Sequence, residues 1–170
     1  MKNPILSGLH ARRVIATLIV AIAATFTFSQ FVTAASWSGI EPLKSRRADV
    51  ERILGKSIGD KPGNNGTLRF NVAGGTVTVA FIDARFVAAK KLQPELEGTV
   101  RQIVLQSTNS SDTPESLNIV NNSKFERQDG ANNITIYRNL KDGIAYTFNN
   151  GKLKDTYFTP SQDDWAKAQK

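Results

Sequence analysis

The chain has 170 residues, with 22 Lys and Arg, 15 Asp and Glu, one His and no Cys. This length suits one ordinary domain with an added segment. The lack of cysteine excludes a disulfide framework, lipid attachment through a cysteine, and thiol chemistry.

The first predicted element is a secretory signal at residues 1–34. Three basic residues precede an uncharged apolar stretch at 14–24, and the apolar character continues to a small-residue exit at Ala34. We expect cleavage after Ala34, or otherwise after Ala35, which makes the protein periplasmic or secreted. The alternative is a retained membrane anchor, because 14–32 nearly reaches the roughly 20 apolar residues that span a bilayer. Polar residues in the second half of the stretch favour the cleaved signal.

Removal of residues 1–34 leaves 19 basic and 15 acidic residues, a net charge of +4. The basic residues are dispersed, with adjacent pairs only at Arg46-Arg47 and Lys90-Lys91. Nucleic-acid binding requires a clustered basic stripe that neutralises successive phosphates. We therefore expect no nucleic-acid partner.

A short amphipathic helix is predicted at residues 46–54. Ser45 has the side chain of an N-cap, and Gly55 is a typical helix stop. The apolar residues of the segment follow the spacing of one helical face: Val50, Ile53 and Leu54.

A β-hairpin is predicted after a Gly-, Pro- and Asn-rich loop at 56–66. Apolar and polar residues alternate along 67–72 and along 76–81, and Gly74-Gly75 allows the positive φ of a tight turn between them. The pattern predicts two antiparallel strands with one buried face.

A third strand is predicted at 99–106, after a segment at 83–98 that fits a loop with a helical turn. The continuous apolar run Ile103-Val104-Leu105 predicts that both faces of this strand are covered.

The second half of the chain repeats the scheme after a polar linker at 108–115. Ile134 and Ile136 mark one strand, and alternating apolar residues at 144–148 mark another. Asn149-Asn150-Gly151 predicts the turn into a last strand. Alternation is lost near Asp155 in that strand, which indicates a bulge or a frayed edge.

Together these elements predict an α+β fold, in which a short amino-terminal helix packs on antiparallel β-hairpins. We expect a single α+β domain at 35–160 and a mobile tail at 161–170, which Trp165 could pin. The two hairpins indicate either pseudo-repeated halves or a chance similarity between hairpins.

The residues available for catalysis are few. The one histidine, His10, lies in the predicted signal, so the rest of the chain has neither imidazole nor thiol for a triad or a zinc site. The turn at 129–133 offers oxygen ligands but lacks the spacing of a calcium loop. Paired carboxylates occur, although no pattern places a pair in the buried cleft that a glycosidase requires: Asp49/Glu51, Glu95/Glu97 and Asp163/Asp164. We predict no catalytic, cofactor-binding or metal-binding residue.

Residues 39–55, GIEPLKSRRADVERILG, resemble a "PL-S-R-DVE-LLG" opening shared by a group of small exported bacterial proteins without an assigned activity. Segments 98–100, 142–146, 150–153 and 158–160 extend this resemblance. More distantly, the capped helix before antiparallel strands is similar to the outer-membrane assembly lipoprotein family called BamE or SmpA-like, whose members hold partners together. The chain lacks the lipidated Cys of that family, and it lacks the Cys and Trp-x-x-Pro that precede the third strand in the nearer group.

These features favour an exported, non-catalytic binding or scaffolding module of the bacterial envelope. We expect another envelope protein as its partner, recruited through sheet edges or threonine-rich outer faces, and no cofactor. Two alternatives stay open. One is a carboxylate-dependent hydrolase of cell-wall or extracellular glycans, and the other is an amino-terminally anchored surface protein that contacts the membrane.

Overall fold

The computed structural model describes residues 35–59 and 66–169. The predicted signal at 1–34 and most of the predicted loop at 56–66 lie outside the described residues. In the described part, no helix has the length and hydropathy needed to cross a membrane.

The described residues form an α+β fold, which confirms the predicted fold class. The strands are β1 (Thr67–Val72), β2 (Gly75–Phe81), β3 (Val100–Ser107), β4 (Glu126–Asp129), β5 (Ile134–Asn139), β6 (Ile144–Asn149) and β7 (Lys152–Phe158). The helices are α1 (Arg47–Leu54), α2 (Ala84–Lys90) and α3 (Gln162–Ala168), with a 3-10 turn at Pro94–Leu96.

All seven strands belong to one antiparallel sheet with the order β1-β2-β3-β7-β6-β5-β4. Two meanders, β1-β2-β3 and β4-β5-β6-β7, join where β3 pairs with β7. The last strand is therefore central, and the irregularity predicted near Asp155 is a bulge rather than a frayed edge, because the register of β6 and β7 shifts beside Thr147.

The first hairpin confirms the predicted alternation, but its two glycines have different roles. Gly74 has a φ of +80° and forms the turn with Ala73. Gly75 instead pairs with Val72 in the ladder, and a Cβ at Gly75 would collide with the backbone carbonyl oxygen of Gln106. Only glycine lets β3 approach β2 this closely.

The start of α1 differs from the prediction. Arg46 is the N-cap residue, and its backbone N–H donates to Oδ2 of Asp49 at 3.0 Å. The predicted cap Ser45 lies one residue earlier, where its Oγ accepts a hydrogen bond from the N–H of Glu41 at 2.9 Å. An acidic residue at the third helical position has replaced the expected hydroxyl cap.

The segment at 83–98 contains the helix α2, capped by Asp83, whose Oδ1 accepts from the N–H of Phe86 at 2.7 Å. The carboxyl-terminal residues, expected as a tail, form α3, and Oγ of Ser161 accepts from the N–H of Asp164 at 3.1 Å. Trp165 on α3 lies against Phe86, with 5.9 Å between ring centroids.

Three apolar clusters hold these elements together. The first joins α1 to β1, β2 and β3 around Phe70. The second packs the chain around Ile119, which precedes β4, against β5, β6 and β7 around Phe148. The third joins α2 and α3 around Leu92. The strand side chains in the first two clusters all belong to one face of the sheet.

Candidate functional site

The two faces of the sheet are distinguished by the strand register. Partners in an antiparallel ladder point to the same face, so each cross-strand row belongs to one face. The central row of the covered face contains Phe70, Val77, Leu105, Thr156, Tyr146 and Tyr137.

Two rows define the opposite face, which we call the open face. The first contains Arg69, Thr78, Val104, Tyr157, Ala145, Arg138 and Glu126. The second contains Asn71, Thr76, Gln106, Asp155, Thr147, Ile136 and Gln128. Apart from Asp155, all of these residues are at least partly exposed. The predicted covering of both faces of β3 is therefore incomplete at Val104, which is partly exposed on the open face.

A groove of about 300 Å³ lies on the open face over β5, β6 and β7. Its apolar floor comes from Ile136, Ala145 and Tyr157. Polar side chains and one exposed leucine surround this floor: Gln102, Arg138, Leu140, Thr147 and Thr159. Leu140 is 60% exposed, which makes it the most exposed large apolar side chain in the described residues.

The turn between β5 and β6 forms one end of the groove. Gly143 has a φ of +72°, and its carbonyl oxygen accepts from the N–H of Thr159 at 2.8 Å. Across the same turn, Nδ2 of Asn139 donates to Oδ2 of Asp142 at 2.8 Å, and the backbone N–H of Asp142 donates to Oδ1 of Asn139 at 3.0 Å. These bonds fix the groove end to the residues that lead from β7 into α3.

Asp155 lies beside the groove and is the unusual residue of the open face. It pairs with Thr147 on β6 and with Gln106 on β3, and it is only 8% exposed. Its Oδ1 is buried without a hydrogen-bond partner. From the sequence, this position was predicted only as a bulge or a frayed edge. The usable signal was an aspartate inside a strand, where this residue type is depleted.

Arg138 supplies the opposite charge on the far side of the groove. Its side chain is exposed, and no described acidic group lies within ion-pairing distance of its guanidinium. Arginine presents a planar fork of donors that matches a carboxylate. The groove therefore has an apolar floor, with the exposed guanidinium of Arg138 in its lining and the buried carboxylate of Asp155 beside it. Glu126 is the ladder partner of Arg138 on β4.

The two edges of the sheet are poorly suited to binding a partner by strand addition. The carbonyl oxygen of Arg69 on the β1 edge already accepts from the N–H of Ile58 at 2.7 Å. Strand β4 has four exposed residues, and its Arg127 contacts Asp129 at 3.0 Å. The hydrogen bond to Asp129 raises the pKa of Arg127 above its usual value. Short, charged edges of this kind discourage pairing with another strand.

The predicted carboxylate pairs lie on other elements. Asp49 and Glu51 are on α1, the second pair is at 95–97 in and after the 3-10 turn, and the third is in the first turn of α3. The hydrogen bond from the backbone N–H of Arg46, followed by one from Arg52, lowers the pKa of Asp49. A general acid requires the opposite shift.

Residues 35–59 and 66–169 contain no cluster of three His, Cys, Asp or Glu side chains with the spacing of a metal site. The turn at 129–133 joins β4 to β5, and Oδ1 of Asp129 accepts from Oγ1 of Thr135 at 3.1 Å.

Comparisons of the chain with protein-family models, with curated proteins and with solved structures find no match.

Proposed function

We propose that this chain is an exported, non-catalytic binding module of the bacterial envelope and that it holds its partner on the open face of the sheet. One observation supports the proposal above the others. Helix α1 and the linker before β4 pack their apolar side chains on one face, whereas the opposite face carries a groove with an apolar floor and an exposed leucine. Exposed apolar surface with a polar rim is typical of interaction sites.

The proposal includes periplasmic or secreted localisation after cleavage of the signal at 1–34. The resemblance to exported proteins and, more distantly, to scaffolding lipoproteins of the BamE or SmpA-like kind supports this part of the proposal. In this account the amino-terminal helix and the two meanders, taken as pseudo-repeated halves, form a rigid support for the contact surface.

Crosslinking in intact cells, followed by mass spectrometry, tests the binding role. We expect repeated recovery of one envelope protein together with this chain. Recovery of this chain alone, at crosslinker doses that capture known envelope complexes, would contradict a binding role.

The hydrolase alternative requires turnover by the purified protein. We expect no glycan hydrolysis above the rate of a buffer control, because no two carboxylates face each other across the groove. Hydrolysis that depends on a single Asp or Glu would replace the binding proposal with the enzymatic one.

A further inference from the structure

The buried carboxylate of Asp155 suggests what the groove binds. The residue is 8% exposed, and its Oδ1 has no hydrogen-bond partner. No lysine or arginine nitrogen of the described residues lies within 4.0 Å of it. A buried polar atom without a hydrogen-bond partner is unfavourable, and native proteins retain such atoms mainly at functional sites.

The surroundings of Asp155 suit a basic side chain. Its ladder neighbour Thr147 lines the groove, and Tyr157 lies two residues along the same strand on the same face. The aliphatic stem of a lysine or arginine can lie on the apolar floor while its charged end reaches a carboxylate. The ring of Tyr157 adds a surface that attracts cations.

Arg138 gives the groove a second charged end. It is two strands away from Asp155 and two residues along the sheet, a separation of about 12 Å between Cα atoms from standard strand spacings. An extended polypeptide covers that distance in about three or four residues. A segment with a basic residue and an acidic residue at this spacing would match both ends of the groove.

We propose that the groove receives an extended segment of a partner protein, with a lysine or arginine paired to Asp155 and an acidic residue paired to Arg138. This inference rests on the proposed function and specifies the partner's chemistry. Apolar side chains of the same segment would contact the floor and Leu140.

Peptide selection tests this inference. A random dodecapeptide library is selected against this protein in purified form, and the consensus peptide is then titrated against variants. We expect the consensus peptide to contain a Lys or Arg three or four residues from an Asp or Glu. The Asp155→Asn variant should bind this peptide at least about tenfold more weakly, as should the wild type with a peptide whose basic residue is replaced by Gln. Asp129→Asn, an exposed aspartate on the β4–β5 hairpin, is the matched control and should bind normally.

A second variant guards against misfolding of Asp155→Asn. Ala145→Lys places an ammonium group diagonal to Asp155 within the groove, so it should remove peptide binding while the protein stays folded by circular dichroism. The inference is overturned if no peptide is selected, if selected peptides lack basic residues, or if Asp155→Asn binds as Asp129→Asn does. A dimer in sedimentation that dissociates in Ala145→Lys would assign the groove to a second copy and would also overturn it. In each of these cases the proposed binding role is tested separately, by whether crosslinking in cells recovers a partner.

Discussion

Asp155 and Asp129 lie in the same sheet but differ in burial and in hydrogen bonding. Asp129 is exposed, and its carboxylate accepts hydrogen bonds from Arg127 and Thr135. Asp155 is buried and its Oδ1 has no partner. Burial without a partner costs free energy because the carboxylate loses its hydration.

The first prediction is that Asp155→Asn stabilises the protein. Replacing the carboxylate with an amide of the same shape removes a buried group that is costly to desolvate, and we expect the free energy of unfolding to rise by about 1–3 kcal/mol. Urea denaturation at pH 7 measures the change. Asp129→Asn should have no effect or lower stability slightly, and a fall in stability for both variants would mean that Asp155 has a stabilising partner.

At the scale of the element, turns and caps position the groove and the helices. Gly143 and Gly151 both have positive φ angles, of +72° and +73°. A Cβ on Gly143 would meet the carbonyl oxygen of Thr159, whereas a Cβ on Gly151 would meet no atom within 4 Å. The two turns therefore share a backbone conformation but differ in packing.

The second prediction compares alanine at these two glycines. Gly151→Ala should cost about 1 kcal/mol, the usual strain of a left-handed conformation. Gly143→Ala should cost at least about 2 kcal/mol more, because the backbone next to Thr159 must also move. Thermal or urea unfolding gives both values. Equal costs would show that the end of the groove adjusts freely to an added methyl group.

The third prediction concerns Asp49, whose carboxylate accepts a hydrogen bond from the N–H of the N-cap residue Arg46 at the start of α1. Its pKa is lowered, so its ionised form stabilises the fold above the usual pKa of 3.8, and this contribution is lost as the pH falls through the lower folded value. Asp49→Asn should therefore be less stable than the wild type at pH 7, and the difference should shrink as the pH falls below 3.8. Urea unfolding measured from pH 7 to pH 2.5 checks this. Glu97→Gln, which keeps the backbone carbonyl that Arg46 contacts, is the control.

At the scale of the whole molecule, local patterns predicted most strands but not how they assemble. Hairpins depend on neighbouring residues, so the alternation at 67–81 and the Asn-Gly turn at 150–151 were sufficient to predict them. The pairing of β3 with β7 joins residues far apart in sequence, and no local pattern encodes it. Strand β4, with the sequence ERQD, has no apolar residue and gave no strand signal.

The groove could not be predicted for a related reason. Alternation at Ile134 and Ile136 indicates a strand but does not say which face its neighbours cover. In the structure Tyr137 packs in the second core cluster, and Ile136 lines the groove on the open face. A strand residue can line a groove only where its face of the sheet stays uncovered. Which face stays uncovered depends on the tertiary structure.

The fourth prediction is the position of the processed amino terminus. The backbone N–H of Ala35 donates to the carbonyl oxygen of Asp142 at 3.1 Å, beside the groove turn. Cleavage after Ala34 keeps this bond, whereas cleavage after Ala35 removes it. We expect mass measurement of the protein purified from cells to give a start at Ala35. A protein that retains residues 1–34 would favour the anchored alternative.

Site-specific photo-crosslinking in living cells tests the open face as the contact surface most directly. A photoreactive amino acid is placed at Leu140 or Gln102 on the groove rim, and at Ala48 or Ala88 on the exposed sides of α1 and α2. We predict that both groove positions yield an adduct with the same envelope protein and that the helix positions do not. An adduct formed only from the helix positions would contradict the assignment of the open face.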